Sequence, residues 1–497
     1  MSGFAATFLI RALTPLHIGS DSVYDPMSFV LDEQRAELTP IEPLEFIRSL
    51  DPADLRELRK ICMEGSLQSL LRVYKFMRKQ SFQGRRIPVS PQIVEHYQET
   101  LRIGTEQTRQ IQEKLNKFVI HRTAFQTSTN RPYLPGSSIK GAIRTAYLSL
   151  LCQEQRVRLS GRQNSFELEK RLLKGAYGTD PFRLLKISDF VPVGEAPVRI
   201  RYAINRKKSG KPADSGIYQI LETVQPGAVF QGTIQLDSPL DGSGIRTPLS
   251  MARLEEALSA FFRHQWGREQ NELALLTDSR PQEAPGGSLM RLGHHSGAEC
   301  VTLEGLRRIR VRTGRTTSEV RDGATTVWLA SDSRKADPRH QESPPLGWIQ
   351  LQRASETEKQ QAKSSESQWR MQARVQEKQR LERLQELQRE AEARRQALQR
   401  RQEEERRRQE EERRREEEWA KLTPFERDLL SVRQGRGGQE ELAAIVRRID
   451  EFSEQESKQL AQALKEAYLS QGRWEVAAKQ KKQINRVAKL KRILGEE

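Results

Sequence analysis

The chain opens on a strict alternation. Phe4, Ala6, Phe8 and Ile10 are apolar at every second position of "FAATFLIRALTPLHIGS", the period of a half-buried strand. Thr14-Pro15 and then Gly19-Ser20 end the run. "SFVLDEQRAELTPIEP" reads as a hairpin turning at Asp32-Glu33. From about Pro43 to Leu115 the period lengthens to that of helices, through "PLEFIRSL", "ADLRELRKI" and "LQSLLRVYKFMRK". Extended patterns return in "LLKISDFVPV", "VRIRYAINR", "GIYQILETVQPGAVFQGTIQL" and "PPLGWIQL". Strands mixed with helices, without a regular βαβ repeat, predict an α+β fold.

The clearest helical stripe lies in "RPYLPGSSIKGAIRTAYLSLL". Ile139, Ala142, Ile143, Ala146, Tyr147, Leu150 and Leu151 share one face. Pro135-Gly136 turns the chain, and Ser137 or Ser138 is the expected N-cap. Lys140 and Arg144 stack four residues apart near the helix start, where the dipole disfavours cations. Hydroxyls, free amides and two cations together suit an anion such as phosphate. Gly141 weakens the helix by about 1 kcal/mol relative to Ala and leaves room for close approach. The plain alternative is a capped core helix with solvated charges.

After about residue 352 the pattern changes twice. From about 354 to 420 only a thin stripe of Leu381, Leu384, Leu387, Ala391 and Leu398 remains, and Gln399 to Glu418 has no apolar residue. "QEEERRR" occurs at 402–408 and again at 409–415, placing Glu403–Arg407, Glu404–Arg408, Glu410–Arg414 and Glu411–Arg415 in the favourable order. Such a helix stands alone as an exposed rod, on the order of 100 Å long if unbroken. Disorder and a coiled coil are the competing readings. Residues 423–497 predict a small helical domain. "TPFE" at 423–426 and "SEQE" at 453–456 are capping boxes, the second followed by Leu460, Ala463, Leu464, Ala467 and Tyr468. The last helix, 479–492, carries seven basic residues and no acidic one, with Ile484, Val487, Leu490 and Leu494 as its stripe. Its basic face suits phosphates, an acidic partner or solvent alone.

Composition sharpens this picture. The 497 residues hold 84 Lys+Arg against 67 Asp+Glu, a net charge of +17, which favours polyanionic partners. The three cysteines, Cys62, Cys152 and Cys300, lie far apart with no metal spacing, as expected in a reducing cytoplasm. There is no basic n-region before the first apolar run and no bilayer-spanning run, so neither a signal peptide nor membrane association is expected. No HxH, HExxH, CxxC or Walker motif occurs, so neither a metal nor another cofactor is expected.

Five landmarks fall in order: "LTPLHIGS", "YLPGSSIKGAIRTAYL", "LLKISDF", "LMRLGHHSG" at 289–297 and "PLGWIQL" at 345–351. Together they resemble the RAMP proteins of type III CRISPR effector complexes, most nearly the Csm-type subunit that caps the crRNA 3′ end. The resemblance covers about 1–352, with a helical insertion at about 43–118. "PGSSIKGAIRTA" is its most specific element. The Arg/Glu-rich stretch 353–422 and the helical 423–497 are not part of the usual pattern. The resemblance implies a ferredoxin-like (RRM-like) core with helical insertions that holds RNA backbone. It assigns RNA contact to His17, Gly19 and Ser20 in the first loop, and to Gly136, Ser137, Ser138, Lys140 and Arg144 at the helix start. Arg291, Gly293, His294 and Gly297 join them from the glycine-rich loop. Expected partners are crRNA, target RNA and the other effector subunits.

Related backbone subunits cut target RNA with a loop aspartate, so His17, Asp21 and Asp25 are candidates for acid–base or metal-assisted cleavage. The end-capping relatives are generally non-catalytic, and Asp25-Pro26 is also a common turn. His294-His295 could serve a ribonuclease, with packing or RNA contact as the alternative. The reading is a non-catalytic crRNA-binding subunit. Its rivals are a RAMP ribonuclease, for target cleavage or crRNA processing, and a scaffold that recruits a partner through its helical tail.

Overall fold

The computed structural model describes all residues except 1–2, 81, 83, 105–107, 159–163, 211–216, 283–285, 315, 335–341, 436–437, 476–480 and 497. The alternation at the N-terminus becomes strand β1 (Phe4–Ala12), which buries Phe8 and Ile10 and leaves Arg11 exposed. After β2 (Gly19–Val23) comes the expected hairpin of β3 (Phe29–Asp32) and β4 (Glu37–Pro40). Its tip is closed by the Asp32 carboxylate, which accepts from the Gln34 and Arg35 amides. The helical stretch follows as α1 (Pro43–Ser49), α2 (Pro52–Met63) and α3 (Leu67–Met77). A short strand β5 (Ile87–Pro88) then precedes α4 (Pro91–Leu101) and α5 (Thr108–Lys117). Sequence sets these helix starts: proline opens α1, α2 and α4, Asp51 caps α2, and Ser66 with Ser69 forms a capping box on α3.

Strand β6 (Ile120–Thr123) leads to α6 (Gly136–Glu154), then α7 (Ser165–Leu173), β7 (Leu185–Ile187) and β8 (Val191–Pro192). Next come β9 (Val198–Lys207), β10 (Tyr218–Val224), β11 (Val229–Leu236) and α8 (Met251–Leu273). Strands β12 (Ser288–Arg291), β13 (Ile309–Arg312), β14 (Ser318–Arg321), β15 (Thr326–Ser331) and β16 (Trp348–Arg353) complete the set. One sheet runs β12-β16-β1-β11-β7, with β8 also on β11; every pairing in it is antiparallel. The other runs β15-β9-β10-β6-β2, with β10 and β6 parallel. The fold is mixed α+β. The stripe on α6 packs inward, with Ile139, Ile143, Ala146 and Tyr147 buried against the sheets and α8.

Helix α9 (Glu356–Lys421) spans 66 residues, and Ala362 is its only buried residue among those described. The sequence expected an exposed rod throughout. Its first part instead docks on the core. Arg131 pairs with Glu366 at 3.1 Å and lies 3.5 Å over the Trp369 ring, and Arg380 pairs with Glu45 at 2.6 Å. Further along, of the four expected pairs only Glu410–Arg414 lies within ion-pair distance among the described residues, and Arg413–Glu417 pairs in the reverse order. The chain divides into two compact units, Met1–Ala391 and Glu392–Glu497, and this division falls inside α9.

In the second unit α10 (Pro424–Arg433), α11 (Gln439–Arg448), α12 (Glu454–Ser470) and α13 (Lys481–Leu494) share their own apolar cluster. Both expected capping boxes form, at Thr423 and Ser453. Lys479 and Gln480 of the expected last helix lie outside the described residues. Ile484 departs from the expected stripe: it is exposed, while Val487 and Leu490 are buried.

Candidate nucleic-acid interface

Three segments far apart in sequence interlock at the end of β1. The Trp348 carbonyl accepts from the Leu13 and Thr14 amides, and Thr14 Oγ1 accepts from the Trp348 amide at 2.9 Å. Gly347 donates to Pro15 O, and His294 donates to His17 O. Gly293 makes this approach possible. Its φ is +98°, and a Cβ there would collide with the His17 carbonyl. The motifs "LTPLHIGS", "LMRLGHHSG" and "PLGWIQL" are thus one structural feature.

A ladder of backbone bonds runs from this feature to the head of α6. Ala124 donates to Ile18 O at 2.7 Å, Tyr133 donates to Ala124 O at 3.0 Å, and Leu134 and Phe190 exchange both bonds. The chain then enters α6 at Gly136, which is wedged against β7: a Cβ would overlap the Ile187 and Ser188 carbonyls. Neither serine caps the helix. Pro135 is the N-cap and carries no side-chain acceptor, while Asp189, from "KISDF", accepts from the Gly136 amide at 2.9 Å. The carboxylate that suits a helix N-terminus is therefore internal.

The two cations expected to hold phosphate are also committed. Lys140 donates to Leu185 O at 2.7 Å, and burial lowers its pKa. Arg144 pairs with Glu169 at 2.7 Å and Asp180 at 2.9 Å. Both tie α6 to its surroundings. The surface left open at the helix head is Ser137 and Gly141, one turn apart and exposed; a Cβ on Gly141 would meet nothing.

Four of the chain's seven histidines gather at the interlocked loops: His17, His121 on β6, His294 and His295. His17 is buried and its Nδ1 donates to Glu222 O at 2.9 Å, which leaves Nε2 as the lone-pair nitrogen. Burial pushes its pKa down to about 4, and His121 and His294 push the same way. His295 is 3% exposed, with ring centroids 4.7 Å from Trp328 and 6.2 Å from His17. Neither of its nitrogens has a hydrogen-bond partner among the described residues. Burial, with the nearby histidines and Arg291, lowers it to about 3. Beneath the loops, Glu222 accepts from Tyr24 Oη at 3.0 Å and from the Thr123 amide at 3.2 Å. Its burial raises the carboxyl pKa despite Arg122 at 3.9 Å.

Arg291 was expected at RNA backbone and is instead buried. Its guanidinium pairs with Glu269, donates to Leu346 O at 2.9 Å and lies 5.3 Å from the Trp348 ring. Glu269 also accepts from Trp348 Nε1 at 2.5 Å. His17 is likewise an inward, neutral side chain rather than a phosphate-facing cation. Gly297, at φ +81°, shapes the same loop. Outward-facing residues of the feature are Gly19 and His294, with Ser20 half-buried and bonded to Arg122 O. Of the candidate catalytic trio, His17 is buried while the two aspartates are not. Asp21 and Asp25 are exposed, and neither is among the charges acting on His17. Asp21 sits at φ 55° in the β2 bulge, and the Asp25 carbonyl closes a turn by accepting from the Ser28 amide and hydroxyl. No group of three or more His, Cys, Asp or Glu side chains able to hold a metal occurs among the described residues.

The sequence reading missed the basic hairpin β13–β14. Among the described residues its strands pair only with each other, and every residue of β14 is exposed. Arg310 and Arg312 alternate outward on β13 and make no ion pair or hydrogen bond through their side chains among the described residues. The signal was present as "RRIRVR", a basic period-two run.

The RAMP superfamily profile matches residues 9–322. The chain belongs to the RAMP superfamily. Its matched region contains the end of β1, the α6 head, the glycine-rich loop and the β13–β14 hairpin of this RAMP protein. Among solved structures it is similar to a chain of a Csm–crRNA–target RNA ternary complex from a type III-A CRISPR–Cas system. The TM-score is 0.46 at 17% identity, covering 70% of this chain and 100% of that one. It is also similar to Csm5 of T. onnurineus, with TM-score 0.42, 18% identity, and 69% and 99% of the two chains covered. No curated protein matches the chain in sequence.

Proposed function

We propose that this RAMP protein is a crRNA-binding structural subunit of a type III CRISPR–Cas effector complex in antiviral defence. Its motifs place it nearest the Csm-type subunit at the crRNA 3′ end. RAMP membership over residues 9–322 carries the reading. The interlocking of the resembling motifs into one loop feature supports it. The first sheet reads as a ferredoxin-like core: β1 lies between β11 and β16, and the crossover helices α6 and α8 pack together.

RNA would run along the ladder from the interlocked loops to the head of α6. Gly19, Ser20, Ser137, Ser138 and His294 would face it. His17, Gly136, Lys140, Arg144, Arg291, Gly293 and Gly297 act beneath, holding the loops and helix in place. Arg310 and Arg312 would add the cations that Lys140 and Arg144 do not supply. Contacts of this kind position RNA without reading its sequence, so one subunit serves any guide. Partners are crRNA, target RNA and the other effector subunits, in the cytoplasm. Residues 1–352 form the RNA-binding part, 353–422 the charged helix and 423–497 a basic helical module.

The protein is read as non-catalytic because His17 is directed inward and the two aspartates serve a bulge and a turn. The test is an assembled complex carrying Asp21→Ala and Asp25→Ala, run beside purified wild-type protein on labelled RNA with and without divalent metal. All target cuts should persist in the variant complex, and the isolated protein should leave RNA intact. Loss of one specific cut with assembly preserved, or cleavage by the protein alone, would favour the ribonuclease.

A further inference from the structure

The terminal unit carries a charge pattern that the RAMP core does not explain. Between Lys479 and Leu494 there are seven basic and no acidic residues, whereas the rest of 421–497 has nine basic and twelve acidic. The contrast with α9 shows that this is not a habit of composition. There Glu and Arg are interleaved in stabilising pairs; on α13 like charges stand at i,i+4, as Lys482 and Arg486 do, and repel. The inner side of α13 is turned away from solvent: Gln483, Val487 and Leu490 are buried, and Val487 and Leu490 belong to the unit's own apolar cluster. Two cations are committed internally: Lys489 pairs with Asp450 at 2.7 Å, and Lys491 lies 6.0 Å from the Trp474 ring. Lys481, Lys482 and Arg492 are exposed, and their side chains make no ion pair or hydrogen bond among the described residues.

Lys481, Asn485, Ala488 and Arg492 are spaced i, i+4, i+7, i+11, so they line one outward face, and Lys482 flanks it about 100° round the helix from Lys481. The face extends about 16 Å along the helix axis at 1.5 Å per residue. Small or short side chains occupy its middle, which lets a backbone lie close.

We infer that this outward face of α13 is a second nucleic-acid contact, which takes the phosphodiester backbone of a single strand on Lys481, Lys482 and Arg492. Charge complementarity selects the occupant. A protein partner would call for an apolar or aromatic centre, and the face offers only Ile484 at 37% exposure. Three exposed cations at the two ends of this face, without an ion pair among the described residues and with no aromatic between them, are the footprint of a polyanion held without sequence preference. This inference stands apart from the core reading, because it uses none of the core's residues.

The test compares full-length wild type with Lys481→Gln/Lys482→Gln/Arg492→Gln. The probes are a fluorescent single-stranded RNA and a DNA of equal length, titrated across a salt series. Glutamine keeps the helix propensity of Lys and Arg, and circular dichroism checks that α13 is retained. Loss of three phosphate contacts should lower the slope of log Kobs against log salt by about 2, at roughly 0.7 per contact for single strands. Affinity at low salt should fall on the order of tenfold or more. Loss for both probes supports a backbone contact, and loss for RNA alone supports the contact with RNA as the source. Ultraviolet crosslinks should map to residues 481–492. Arg310→Gln/Arg312→Gln, run in parallel, reports on the core alone, so the two readings fail separately. An unchanged slope in a folded triple variant would overturn the inference. Unchanged nucleic-acid binding with loss of entry into a multi-subunit assembly would also overturn it, by assigning the face to protein.

Discussion

His295 should make the larger unit acid-sensitive, and its replacement should remove a defined part of that sensitivity. The imidazole is 3% exposed, its nitrogens lack partners among the described residues, and it faces His17, His294, His121 and Arg291. Its folded-state pKa is lowered from 6.5 to about 3. A lowered histidine pKa means that the unfolded chain binds the extra proton between these values. Stability is therefore intact above pH 6.5 and falls as pH drops toward 3. At pH 5 the unfolded chain has gained about 1.5 pH units of proton binding that the folded state refuses. At about 1.36 kcal/mol per unit this destabilises the fold by about 2 kcal/mol. His295→Leu deletes the titrating group. Whatever the substitution costs at pH 7.5 through lost contact with Trp328, the variant should lose about 2 kcal/mol less than wild type on moving to pH 5. Urea melts of the full chain at both pH values measure this, read from the transition of the larger unit. Equal losses in the two proteins would show that His295 is protonated in the folded state or reaches water, and would refute the reasoning.

Gly136→Ala should be severe, since its Cβ meets backbone on β7, with loss of soluble protein or a large drop in melting temperature. Gly141→Ala, into open space on the same helix, should instead stabilise by about 0.5–1 kcal/mol in the same melts. Glu269→Gln leaves the Arg291 charge buried without its partner and should cost about 3–5 kcal/mol by denaturant unfolding, while leaving surface residues untouched. Arg310→Gln/Arg312→Gln should spare stability but lower the salt slope of single-stranded RNA binding by about 1.4. A peptide spanning 354–420 should be helical and monomeric by circular dichroism and sedimentation, losing some helicity in high salt as its exposed pairs are screened.

Local structure was legible where a short-range rule decides it. The alternation of β1, the Asp32 hairpin, the α6 stripe and the two capping boxes follow from neighbours within a few residues. The charged helix was legible from its repeated Glu–Arg spacing. The docking of its first part was not, because Arg131 meets Glu366 and Trp369 across more than two hundred residues. The landmark motifs were visible, but the placement of their charged members was not. Nothing local to Arg144 reveals Glu169 and Asp180, and nothing near Arg291 reveals Glu269 on α8. The α6 cap was misplaced for the same reason: Asp189 arrives from the loop after β7, fifty-three residues on. Helix α8 and the β13–β14 hairpin went unread, although "RRIRVR" carried the period and the charge.

The central claim is that this RAMP protein holds guide RNA in a type III effector without cutting it. Site-specific photocrosslinking of the reconstituted complex tests this most directly, with single 4-thiouridines placed along the crRNA. Crosslinks are expected between this chain and nucleotides at the crRNA 3′ end, in peptides from the interlocked loops, the α6 head or the β13–β14 hairpin, with the crRNA intact. Crosslinks confined to the 5′ end, or none to this chain in a fully assembled complex, would contradict it.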